Sequence, residues 1–160
     1  MKKIFLIFIF YGSLAAYSQQ ESLSLKVFTF SEVEKMNQEK PKPIVVFIYT
    51  DWCKICHGMK KTTLENKEVI QLLNKKFYFV KLNGEEKENI TFLGKTFTYK
   101  PTGINTGIHE LTNELAAIKK RIAYPTTTIL NSNFEIDAQL VGFYNSKKMK
   151  KILTKYKQTN

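Results

Sequence analysis

The chain has 160 residues, 43% hydrophobic and 13% aromatic, and 25 Lys+Arg against 14 Asp+Glu give a formal net charge of +11. That length supports one domain with a core that needs no disulfide staples, and the sequence shows no repeat at solenoid periods and no low-complexity stretch. The lysines are scattered, and no motif interleaves aromatics with them. The charge therefore reads as solvated surface and excludes a nucleic-acid-binding module, with attraction to an anionic membrane surface as the alternative.

Lys2 and Lys3 precede an apolar run, Ile4 to Tyr11, that continues into Gly12-Ser13-Leu14-Ala15-Ala16. Ala16-Tyr17-Ser18 places small residues at the −3 and −1 positions of a cleavage site before Gln19. Residues 1–18 are expected to be a signal peptide, and 19–160 the mature domain. The run is shorter than the ~20 apolar residues of a spanning helix, so no stable membrane insertion is expected after cleavage. The expected location is periplasmic or extracellular.

Ser31 with Glu34 fits a capping box that starts a helix, with Val33 and Met36 on its apolar side and Pro41 and Pro43 beyond its end. Ile44 to Tyr49 is an unbroken β-branched and aromatic run, which predicts a strand buried on both faces. Thr50 to His57 follows, and Gly58 to Lys61 suits a helix. Asn66 caps a further helix whose inner side is Val69, Ile70, Leu72 and Leu73. Phe77 to Leu82 is a second strand, parallel to the first in a β–α–β unit.

Residues 85–108 are polar and carry Gly94, Pro101, Gly103 and Gly107, with Thr96 to Tyr99 as a short strand or hairpin arm. His109 to Lys120 is predicted to be helical, with Leu111, Leu115 and Ile118 on one side. After the Tyr124-Pro125 break come a strand over Thr126 to Leu130, a turn at residues 131–133 and a strand over Ile136 to Val141. Gly142 is expected to be a bulge or a bend, and Ser146 to cap a last helix with Met149, Ile152 and Leu153 inward.

The chain has two cysteines, Cys53 and Cys56. A bridge that closes two intervening residues stabilises a fold little, so the pair reads as reactive. Its position, where a buried strand feeds a helix, supplies the chemistry. A helix N-terminus presents unpaired N–H groups and a positive dipole end. Both favour a thiolate at Cys53, and the thiolate is the attacking species in disulfide exchange. Cys56, one turn on and more shielded, resolves the mixed disulfide.

With Asp51-Trp52-Cys53-Lys54-Ile55-Cys56, Lys81-Leu82-Asn83, Tyr124-Pro125-Thr126 and Val141-Gly142 in this order, nearly the whole mature chain resembles the thioredoxin superfamily. Asp51-Trp52-Cys53 with Asn66-x-x-Val69 and Phe79-Val80-Lys81 is most similar to the C-terminal domain of DsbD and its small exported relatives. The resemblance implies an α/β thioredoxin fold, a central mixed sheet flanked by helices, with an insertion at about 85–108 before a cis-proline turn. It implies catalytic Cys53 and Cys56, and substrate contacts at Trp52, Tyr124 and Pro125. Lys54, His57 and Lys81 are the expected tuners of the thiol pKa. The implied function is dithiol/disulfide exchange, on the reductive side, with exported protein thiols and disulfides as partners and a membrane electron donor behind them. No cofactor besides the redox-active disulfide is implied, and no metal. The sequence departs from the family at Phe47, six positions before Cys53, where a buried aspartate is usual. Asp51 and Glu85 are the candidate replacements, and the choice between them stays open.

Three rival readings share these residues. Cys53 to His57 fits a c-type haem attachment pattern, with His57 as proximal ligand and Met59, Met149 or His109 as the second; the surrounding strands argue against it. A zinc site would have to recruit Cys53, Cys56, His57 and His109, and adjacent Cys56 and His57 do not both face one ion easily. A non-enzymatic thioredoxin-fold binding protein would use the insertion to grip partners.

Overall fold

The computed structural model describes residues 23–156; the expected signal peptide, 1–18, lies outside them. The strands β1 (Ile44–Tyr49), β2 (Tyr78–Asn83), β7 (Thr126–Leu130) and β8 (Ile136–Val141) form one sheet in the order β2-β1-β7-β8. β1 and β2 run parallel, with Phe47 beside Lys81. β7 runs antiparallel to both β1 and β8. This is the mixed sheet flanked by helices that the sequence implies.

Side chains alternate across a strand, so the unbroken run of β1 feeds two cores. Val45 and Phe47 pack with Phe79 of β2 and with Met59, Val69, Leu73, Met149 and Leu153 from α2 (Lys54–Met59), α3 (Lys67–Lys76) and α5 (Ser146–Lys155). Ile44, Val46 and Ile48 pack on the other face with Phe30 and Val33 of α1 (Phe30–Glu39) and with Leu111 and Leu115 of α4 (Glu110–Ala116). A π-helical turn, Lys60–Leu64, carries α2 toward α3. Among the described residues no helix is long and apolar enough to cross a membrane.

Residues 85–109 contain two small hairpins. β3 (Ile90–Phe92) pairs with β4 (Lys95–Phe97), and β5 (Tyr99–Pro101) pairs with β6 (Gly107–His109). Polar as the stretch is, its Phe92 and Phe97 are buried in the core on the α1/α4 face, and Phe92 meets Phe30 and Phe134 edge-on or tilted.

β2 is shifted by one residue from the expected Phe77 to Leu82, and three expected helix ends move. The capping box of α1 is Thr29 with Glu32, two residues before the expected Ser31 with Glu34. The same spacing of hydroxyl and carboxylate occurs at both places, and the earlier start puts Phe30 into the core. Glu34 accepts instead from the Leu93 N–H at 2.6 Å. The cap of α5 is Asn145, whose side chain accepts from Lys148 N–H at 2.9 Å, and Ser146 is the first helical residue. α4 stops at Ala116, short of Lys120. Ala117 is extended there, and Lys119 and Lys120 take positive φ in a turn closed by Ile118 and Arg121. That turn leads the chain back to the Tyr124-Pro125 corner and leaves Ile118 exposed.

Candidate active site

β1 ends at Tyr49, and a turn in which the Cys53 N–H donates to the Thr50 carbonyl places Cys53 at the N-cap of α2. Cys53 and Cys56 form a disulfide. The Cys53 sulfur accepts the Cys56 N–H at 3.1 Å. An orphan donor of the first helical turn is thus aimed at the Cys53 sulfur. Cys53 keeps 6% of its surface exposed and Cys56 none. Cys53 is therefore the more accessible of the pair.

The Tyr124–Pro125 peptide bond is cis. Gly142, at φ +88, donates its N–H to the Pro125 carbonyl at 2.8 Å and so ties the β8 end to this corner. The Tyr124 ring meets the Trp52 ring edge-on at 5.9 Å. It also fills the space over Gly84, where any Cβ would overlap it. Burial, with the Glu85 charge nearby, pushes the Tyr124 phenol up to about 12, so the hydroxyl stays protonated. Trp52 is 65% exposed and is therefore no core aromatic; its Nε1–H donates to Glu85 Oε1 at 3.0 Å. Trp52 and Tyr124 thus meet at the turn that leads into Cys53, Tyr124 packs against the core that holds the disulfide, and Pro125, next in the chain, is buried.

The other expected residues are placed differently. Lys54 and His57 are exposed on α2, and His57 Nε2 lies 3.0 Å from the Asp51 carbonyl oxygen. Lys81 is exposed beside Phe47 in the register. Neither candidate replacement for a buried aspartate is free: Asp51 Oδ2 accepts from Asn83 Nδ2 at 2.9 Å, and Glu85 holds Trp52. Phe47 itself is fully buried and stacks on Tyr49. The haem and zinc readings scatter their ligands. His109 is buried, and its Nδ1 accepts from the Leu111 N–H at 3.2 Å. Among the described residues no group of three or more His, Cys, Asp or Glu is arranged to hold a metal ion.

Three features carried no sequence signal that singled them out. Lys60 stands 3.1 Å over the Tyr49 ring, and burial lowers its pKa. Gly84 makes room for Tyr124. Thr127 is buried, and its hydroxyl has no hydrogen-bond partner among the described residues. Each is an ordinary residue whose surroundings are set by the packed fold rather than by its neighbours in sequence.

Solved structures share this arrangement of elements at low identity. An oxidoreductase, DsbH, matches with a TM-score of 0.56 at 16% identity, over 83% of this chain and 87% of that one. The reduced C-terminal domain of DsbD from Neisseria meningitidis matches with a TM-score of 0.52 at 19% identity, over 78% and 90%. A thioredoxin from Thermus thermophilus matches with a TM-score of 0.58 at 19% identity, over 82% and 85%. No curated protein sequence matches significantly. The sequence profile of the thioredoxin-like domain matches residues 30–157, a span that takes in the disulfide, the Tyr124–Pro125 corner and every strand of the sheet, and the chain belongs to that family.

Proposed function

We propose that this chain is an exported disulfide oxidoreductase that works on the reductive side. The observation that carries the reading is the Cys53–Cys56 disulfide at the N-terminus of α2, with the Cys53 sulfur already accepting a helix N–H. In the reduced protein the Cys53 thiolate attacks a substrate disulfide, forms a mixed disulfide and releases one substrate thiolate. The Cys56 thiolate then attacks the Cys53 sulfur, closes the intramolecular disulfide and releases the second. Two electrons pass to the substrate, and its two thiolates take up protons from solvent. Trp52 and the Tyr124–Pro125 corner form the surface against which the substrate chain lies.

Names among the structural neighbours, DsbH and the DsbD C-terminal domain, support the assignment to disulfide chemistry. Export rests on Lys2, Lys3, the apolar run and Ala16-Tyr17-Ser18. Partners are exported proteins with disulfides, and a membrane electron donor that returns the pair to the dithiol.

Insulin reduction with dithiothreitol as donor tests the chemistry. The wild type accelerates precipitation of the insulin chains and Cys53→Ser does not; in a separate incubation with exported proteins and no added reductant, Cys56→Ser accumulates adducts that dithiothreitol then releases. Equal rates for wild type and Cys53→Ser would overturn the reading and favour a binding protein. Intact mass of the exported protein should correspond to a chain that begins at Gln19. A retained Met1 in the membrane fraction would make it a tethered protein instead.

A further inference from the structure

The resolving step requires Cys56 to lose a proton in a fully buried position. Burial in apolar surroundings disfavours a thiolate. The sheet face beneath the disulfide offers it little: Val45, Phe47, Phe79 and Ile129 are all apolar. Thr127 is the exception. It pairs with Phe47 on one side and with Leu140 on the other, and paired residues share a face. Along β7 it lies between Pro125 and Ile129, which the period of two places on the same face. It is thus a hydroxyl set among the residues that pack against Cys53 and Cys56, next to the proline corner.

Other threonines of β7 hold acceptors. Thr126 Oγ1 donates to the Ala123 carbonyl at 2.8 Å, and Thr128 Oγ1 to the Leu115 carbonyl at 2.6 Å. Both lie on the opposite face of the strand from Thr127 or at its end. Among the described residues Thr127 Oγ1 is buried without a hydrogen-bond partner while the disulfide is closed. A closed disulfide is a poor acceptor, whereas a thiolate is a strong one.

We propose that Thr127 is a positioning residue for the resolving cysteine: its hydroxyl, facing the disulfide from the sheet, donates directly or across one water to the Cys56 sulfur once the bond opens. The hydrogen bond exists in the reduced state and not in the oxidised one. It stabilises the Cys56 thiolate, whose proton leaves for solvent, and readies that sulfur to attack Cys53 in the mixed disulfide. The proposal rests on the disulfide-exchange reading above, but its test is independent of turnover.

The test is a titration of Cys56 by the ¹³Cβ chemical shift of labelled cysteine, in a Cys53→Ala background so that one thiol reports. Thr127→Val keeps the shape and removes the hydroxyl, and Thr127→Ser restores it. The expected result is a Cys56 pKa at least one unit higher with Val, a tenfold smaller thiolate fraction at neutral pH, and a value close to the parent with Ser. Equal titrations in parent and Val variants would overturn the proposal, as would a Ser variant that shifts as far as Val. Insulin reduction separates the two claims: an active wild type with an unmoved Cys56 titration leaves the oxidoreductase reading standing and removes Thr127.

Discussion

On one face of the sheet, α2, α3 and α5 cover Val45, Phe47 and Phe79, and the disulfide sits in their midst. On the other, α1, α4 and the two hairpins cover Ile44, Val46 and Ile48 with Phe30, Phe92, Phe97 and Leu111. The first face is closed by helices at hand in sequence: α2 follows β1, α3 precedes β2 and α5 follows β8. The second is closed in large part by residues 85–109, whose polar composition hides two aromatic anchors. Tyr124 packs against both cores. The difference suggests a division of labour. The insertion face stabilises, the helix face reacts, and Tyr124 with Gly84 joins them.

Removing an anchor from the insertion face gives the largest expected effect on stability. Phe92→Ala deletes a buried ring that touches Phe30 and Phe134, and such truncations cost about 3–5 kcal/mol. Urea unfolding should show that loss, while the reduction potential of the Cys53–Cys56 pair against glutathione stays at the wild-type value. A shifted potential would break the separation between the faces.

A smaller effect is expected at their junction. The Gly84 N–H donates to the Tyr49 carbonyl, its carbonyl accepts from the His109 N–H, and Tyr124 lies over it. Gly84→Ala forces the ring away and should cost about 1–3 kcal/mol as an overpacked site. Insulin reduction should slow as well, since Tyr124 adjoins Pro125 and Trp52. In a Tyr124→Ala background the same substitution should cost clearly less, because the obstructing ring is gone. Equal costs in the two backgrounds would show that Gly84 serves only its backbone hydrogen bonds.

The fold was legible because the signals that specify it are local. The β1 run, the Asn66 cap, the β7 threonines and the Gly142 bend each lie within a few residues of what they determine. The redox pair was legible for the same reason, as two cysteines one helical turn apart at a strand-to-helix junction. The burial of Phe92 and Phe97 depends on contacts with Phe30 and Phe134, far off in sequence, so a window over residues 85–108 shows only a polar loop. The misplaced caps of α1 and α5 are a contest between neighbouring residues with the same capping chemistry, decided by which start buries the apolar side. Thr127 was invisible as anything but a strand residue, because its lack of a partner is a property of the packed face.

The smallest expected effect, and the finest test of the insertion face, is a pH dependence at His109. Its imidazole caps α4 by accepting the Leu111 N–H, and its Nε2 is buried without a hydrogen-bond partner among the described residues. Burial lowers its pKa below the usual 6.5, and wins over the backbone at Glu88 and Phe97 and the charges of Glu86 and Glu110, which favour the proton. Folding therefore holds the ring neutral, while the unfolded chain takes up a proton as pH falls through about 6.5. More protons on the unfolded state mean that this contribution is present above that pH and is lost below it, with a slope of at most about 1.4 kcal/mol per pH unit. Glu32 and Glu110, both lowered by hydrogen bonds at Thr29 and Thr98, lose their contributions only in the carboxylate range, below the His109 window. Urea midpoints at pH 7.5 and 5.5 should fall further for the wild type than for His109→Asn, which retains a capping oxygen and has nothing to titrate there. Equal falls would mean that the ring accepts its second proton in place, and that the cap on the insertion face does not depend on a neutral imidazole.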